Sequence, residues 1–151
     1  MQTPAMRALF GFIAGAFSVL IFHQGMWEAL HLLNLPGLGM PAPYPTGPVP
    51  PFGVPRILSL CFWGGLYGIV FGLVLPGLRA PLWLCGLGLG TIAALVGLLV
   101  VPAIKGLPIG GGWVLLNWVR SLLLNGFWGI GVAVILPLLL RWADARRNRI
   151  G

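Results

Sequence analysis

Glu28 and His31 stand three residues apart in the segment FHQGMWEALH, residues 22–31. Glu-x-x-His is the spacing that carboxylate-bridged metal centres use on the helices of a bundle. Such a centre needs several further carboxylates, and the chain has only two acids, Glu28 and Asp144. His23 and His31 are eight residues apart, roughly 12 Å along a helix, too far to share an ion. A haem between helices needs a histidine from each of two, and both histidines of this chain belong to this one segment. The pattern therefore points to no metal and no cofactor. Interfacial hydrogen bonding is the chemistry that remains. On a helix Gln24, Glu28 and His31, at i, i+4 and i+7, form one stripe with Trp27 beside it, while His23 points about 100° away from Gln24. No nucleophile–base pair or phosphate loop is present, and GLGLG at residues 86–90 lacks the strand–turn–helix setting of a nucleotide site. No catalytic residue is expected.

The elements that carry these groups follow from composition. Residues 8–22 contain one polar side chain, Ser18. Over all 151 residues 58% are hydrophobic and 7% charged, against about 25% charged in a soluble domain. Mean hydropathy is +0.98. Four apolar runs approach the roughly 20 residues that cross a bilayer as helix. The expectation is an all-α membrane protein, a single transmembrane domain over residues 1–151. Its spans fall at roughly 7–31, 56–78, 81–104 and 113–140, with a basic tail at 141–151. The first run is read as a retained span, because bulky Phe22, His23 and Gln24 follow it where a signal peptide needs small residues. The net charge of +7 does not suggest nucleic acid, since the basic residues sit at the ends of apolar runs and form no patch with interleaved aromatics. Cys61 and Cys85 fall near opposite faces and suit buried small side chains better than a disulfide.

Between the first two spans, residues 35–55 hold eight prolines in 21 positions, which rules out a helix or a central strand and predicts an extended outer loop. The turn LPGLRAP is short enough to make an antiparallel hairpin of spans two and three. Four spans place the termini and that turn on one side. Arg7, Arg79, Arg141, Arg146, Arg147 and Arg149 lie there, against Arg56 and Lys105 opposite. The positive-inside rule then puts both termini in the cytoplasm.

An internal echo suggests a parallel repeat of two two-helix units. RILSLCFWGG begins span two and RSLLLNGFWGI lies in span four, each with an arginine ahead of Phe-Trp-Gly. Spans one and three share Gly-x-x-x-Gly, at Gly11/Gly15 and Gly86/Gly90. Gly64, Gly68 and Gly72 make a stripe on span two. Small residues let helix backbones approach closely in lipid, so these glycines are expected to pack helices. The plan is a four-helix bundle of two antiparallel hairpins.

His23, at about 24 Å from Arg7 along a helix, reaches the outer boundary of a bilayer core of about 30 Å. The expected outer polar cluster is His23, Gln24, Trp27, Glu28, His31, Arg56, Asn117 and Arg120. Within it, Glu28 is expected to pair with Arg120 or Arg56, because a carboxylate in a poorly screened zone favours arginine's fork. Asn125 lies deeper, where polar residues are functional candidates; a bond to Ser59 or a neighbouring carbonyl is expected.

FHQG closing span one, the proline-rich loop running into PFGVPRILSLCFWGG, and the basic tail together resemble a class of small four-span bacterial inner-membrane proteins. That resemblance implies a location and an architecture and carries over no site residue. The small multidrug exporters also have four spans and a glutamate in the first, but theirs is deep in the membrane and Glu28 is at its edge. The function expected is that of a non-enzymatic structural or accessory subunit, acting through helix packing with itself or a larger membrane complex. A transporter or channel unit with a polar outer vestibule is the alternative, and a haem or redox subunit the third.

Overall fold

The computed structural model describes residues 2–150. Helix α1 (Pro4–Leu33) is followed by α2 (Arg56–Gly77), α3 (Leu82–Ile104) and α4 (Leu115–Ile150). All four are long and apolar enough to cross a membrane. Thr3 caps α1, its hydroxyl accepting from the Met6 N–H at 3.2 Å with Pro4 at the first helical position. Asn34, left-handed at φ 43°, ends it. Pro76 falls in a closing 3-10 turn of α2, Leu75–Gly77. Within the proline-rich loop, β1 (Pro48–Val49) pairs antiparallel with β2 (Val54–Pro55).

The segment expected as a polar tail is helical. α4 runs 36 residues, about 54 Å, through Pro137 and on to Ile150. Asp144 explains the continuation. It accepts from Gln2 Nε2 at 2.8 Å and pairs with Arg147 one turn on at 2.6 Å. Arg146 lies over the Trp142 ring, 4.5 Å from its centroid.

Glycine contacts set the helix order. A methyl added at Gly11 or Gly15 would strike the carbonyl of Gly68 or Gly64 on α2, and one at Gly72 would strike that of Arg7. Gly86 meets Gly129 in the same way, and Gly90 meets the Asn125 carbonyl. In both pairs the contact numbers rise on one helix as they fall on the other, so the helices run oppositely. Both pairs also seat the glycine of Phe-Trp-Gly, Gly64 or Gly129, on a glycine of the preceding helix. The two pairs meet where α1 packs on α4. There the Trp128 indole N–H donates to the Gly15 carbonyl at 3.0 Å, and the Ser18 hydroxyl to the Trp128 carbonyl at 2.6 Å.

The short turn after α2 reverses the chain, yet α2 and α3 scarcely touch. Their packing is sparse because each has turned its glycine face to another partner. Ala14, Phe71, Leu89, Val132, Leu136 and Leu140 fill the core toward the chain termini. At the opposite end, which bears the loop, α2 and α3 leave a gap.

Candidate functional site

Two sets of polar groups meet at the loop end, one fastening the proline-rich loop and one lining the gap. The first set belongs to FHQGMWEALH. Along α1 the loop runs back toward the core. His31 Nδ1 lies 2.8 Å from the Met40 carbonyl, the Trp27 indole N–H donates to the Pro41 carbonyl at 2.9 Å, and Gln24 Oε1 accepts from the Tyr44 N–H at 2.6 Å. The Tyr44 hydroxyl reaches the Leu20 carbonyl at 3.0 Å. Proline supplies no N–H, so the loop offers mainly carbonyls, and α1 meets them with side-chain donors. The stripe in contact with the loop is thus Gln24, Trp27 and His31, with Glu28 outside it.

Glu28 has no cation within 4 Å among the described residues, and the ion pair expected of it is not formed. The arginines have other partners. Arg120 Nη2 donates to the Gly37 carbonyl at 2.6 Å, where the loop crosses α4. Arg56 stands over the Trp27 ring at 5.9 Å. Asn117 donates to the Gly111 carbonyl at 2.8 Å, and the Trp118 indole to that of Gly110 at 2.8 Å. They brace a turn in which Gly110, Gly111 and Gly112 all have positive φ. Asn125 donates back to the Ser121 carbonyl at 2.9 Å within its own helix, and not across to Ser59.

The second set lines a cleft of about 560 Å³. Arg56, Ser59, Leu60, Trp63 and Tyr67 of α2 form one wall, and Ala93, Val96, Gly97 and Val101 of α3, with Lys105 just past its end, the other. Val19 and His23 of α1 with Asn125 and Trp128 of α4 make the floor. Val49 and Pro50, at the tip of the β1–β2 ribbon, roof it. A mouth of about 390 Å³ continues outward past Arg56 and Lys105. Gly64, Gly68 and Gly72, with Gly86 and Gly90, lie in the helix contacts already described.

Two wide turns shape this cleft. Val19–His23 in α1 and Val96–Val100 in α3 are each π-helical. Such bulges insert one residue into the helical ladder and are frequent at functional sites. Each supplies two lining residues: Val19 and His23, Val96 and Gly97. The α1 bulge also lets consecutive His23 and Gln24 both be buried, at 8% and 1% exposure. Their relation fixes a tautomer. The Tyr44 N–H is a donor, so the Gln24 oxygen must face it, and the Gln24 amide nitrogen then donates to His23 Nδ1 at 3.3 Å. The remaining proton of a neutral His23 is therefore on Nε2.

The cleft is rich in donors and holds no acid. Its cations stand at the mouth and its interior is mainly apolar. Among the described residues no three His, Cys, Asp or Glu side chains converge on a metal position. Tyr44, Tyr67, Trp118 and Trp128 also contribute, and their sequence surroundings mark none of the last three as functional. Tyr44, one of only two tyrosines and set among prolines, was the one legible signal. No family model, curated protein or solved structure matches this chain.

Proposed function

We propose that this chain is a multi-pass protein of a bacterial inner membrane, two antiparallel hairpins with both termini in the cytoplasm. It acts as a non-enzymatic accessory unit through helix packing, with a larger membrane complex or with itself. The observation that carries this reading is the arrangement of apolar surface. Glycines face inward at the helix contacts, while Leu9, Phe17, Ile21, Val70, Ile92 and Leu138 all stand exposed. Less than half of each span is buried. In water that surface would far exceed the few hundred Å² of contiguous apolar patch that monomers tolerate. In lipid it costs nothing, and close backbone contact then supplies the packing.

A transport unit is the second reading, favoured by the cleft as a vestibule. It lacks a path, because Trp128 closes the floor and the apolar core lies beyond. Alkaline carbonate washing of cell membranes, then mild-detergent purification and mass spectrometry, tests the proposal. The chain is expected to stay in the washed membranes and to elute with a stable partner or a second copy. Release into the alkaline supernatant overturns the membrane reading, and a solitary chain after cross-linking in the membrane overturns the accessory one.

A further inference from the structure

The cleft between α2 and α3 has features that helix packing does not explain. Arg56 and Lys105 line both its mouth and its interior. Neither has a carboxylate within ion-pair distance among the described residues, and no acid lines either space. Two cations facing one cavity repel each other unless an anion lies between them. His23 Nε2–H and the Tyr67 phenol farther in, and the Ser59 hydroxyl at both the mouth and the interior, have no hydrogen-bond partner among the described residues. Apart from Asn125, whose amide is bonded to the Ser121 carbonyl, the rest of the lining is apolar, with Leu60, Trp63, Val96, Val101 and Trp128 its bulk. At about 560 Å³ the cleft falls within the roughly 300–1,000 Å³ that holds a small organic ligand. Gly97 stands open in the α3 wall, where an added methyl would meet nothing.

We propose that this cleft binds an anionic phospholipid, its phosphate between Arg56 and Lys105 and an acyl chain along the trough that ends on Trp128. A free phosphate would satisfy the cations and leave the apolar trough empty. A neutral lipid would fill the trough and leave the cations uncompensated. A lipid with net negative charge does both, burying methylene groups and pairing the charges. Because α2 and α3 diverge, it can enter sideways from the bilayer. The inference rests on the membrane reading, and adds an occupant to it.

The test uses the full chain, purified in mild detergent and returned to phosphatidylcholine vesicles. Phosphatidylglycerol is the anionic probe, phosphatidylcholine the neutral one and inorganic phosphate the chain-free one. Native mass spectrometry counts the lipid retained. The wild-type protein is expected to hold phosphatidylglycerol in preference to phosphatidylcholine. Arg56→Gln with Lys105→Gln is expected to cut that preference roughly thirtyfold, on the order of fivefold for each cation. Gly97→Trp, whose Cβ meets nothing within 4 Å and whose ring would occupy the trough, is expected to lose the lipid. Gly88→Trp, equally bulky at an open glycine outside the cleft, is expected to keep it.

Unchanged preference in the double glutamine variant overturns the proposal. So does full retention in Gly97→Trp, and so does displacement of the lipid by inorganic phosphate. Thermal unfolding in detergent keeps the test valid if Gly97→Trp does not fold. Phosphatidylglycerol must then stabilise the wild-type chain and not the double glutamine variant, both substitutions being at exposed positions. Failure of the membrane reading is seen separately, as release by carbonate before any lipid is added.

Discussion

Gln24 shows how one side chain can organise an end of this molecule. Its amide oxygen holds the Tyr44 N–H and its amide nitrogen holds His23 Nδ1, at 2.6 and 3.3 Å, with the side chain 1% exposed. One bond fastens the loop and the other leaves His23 a donor toward the cleft. Gln24→Leu keeps most of the volume and removes both bonds. A buried donor or acceptor left without its partner costs about 1–3 kcal/mol. The variant is expected to unfold at lower temperature in detergent and to exchange the Tyr44 amide faster. A wild-type midpoint with wild-type exchange at Tyr44 would show that the amide is not what holds the loop.

At the scale of helices, backbone contact between α1 and α2 carries the same weight that side-chain interdigitation carries in a soluble bundle. Gly15 is among the tightest points. It touches Gly64 across the pair, and its carbonyl also accepts the Trp128 indole from α4. A methyl there meets a carbonyl oxygen that cannot move aside without separating the helices. Gly15→Ala is expected to cost about 1–3 kcal/mol, the usual penalty of overpacking. Gly88→Ala on α3 meets nothing within 4 Å, so the better helix propensity of alanine makes it neutral or slightly stabilising. Thermal unfolding of the two variants side by side reads the difference, and equal midpoints would remove the glycine contact as the source of packing.

The four helices themselves were legible in the sequence because their length and apolarity, which would suit them to cross a bilayer, are both visible residue by residue. The π-turns were not, since Val19–His23 and Val96–Val100 carry no composition of their own and arise from what packs around them. The cleft was hidden for a related reason. The short connection between α2 and α3 suggests contact, and nothing local reveals that the glycine faces of both are engaged elsewhere. The expected Glu28–arginine pair failed on competition. Loop carbonyls and the Trp27 ring are also good guanidinium partners, and only the folded loop shows that Gly37 sits beside Arg120.

For the whole molecule the consequence is a sidedness that can be measured. The end carrying Arg7, Arg79 and the last turns of α4 is basic, and it is compact as well. Gln2 reaches Asp144 there and Arg7 donates to the Gln2 carbonyl at 3.0 Å. On the proposed membrane reading α4, about 54 Å long against a hydrocarbon core of about 30 Å, extends beyond the bilayer. Its excess falls at this end, where Arg141, Arg146, Arg147 and Arg149 cluster. Arginines near a membrane face resist translocation and favour the anionic cytoplasmic leaflet. The loop end has only Arg56, Lys105 and Arg120, the last bound to the loop itself. A chain with Cys61 and Cys85 replaced by alanine can report this with single cysteines at exposed Thr46, Ala80 or Asn148. A membrane-impermeant maleimide added to cells with a permeable outer envelope is expected to label Thr46→Cys and to spare Ala80→Cys and Asn148→Cys until the membrane is broken. Labelling of Asn148→Cys in intact cells would reverse the orientation and move the cationic mouth of the cleft to the cytoplasmic leaflet. Labelling of Thr46→Cys and Asn148→Cys together would mean that the helices do not cross the bilayer four times.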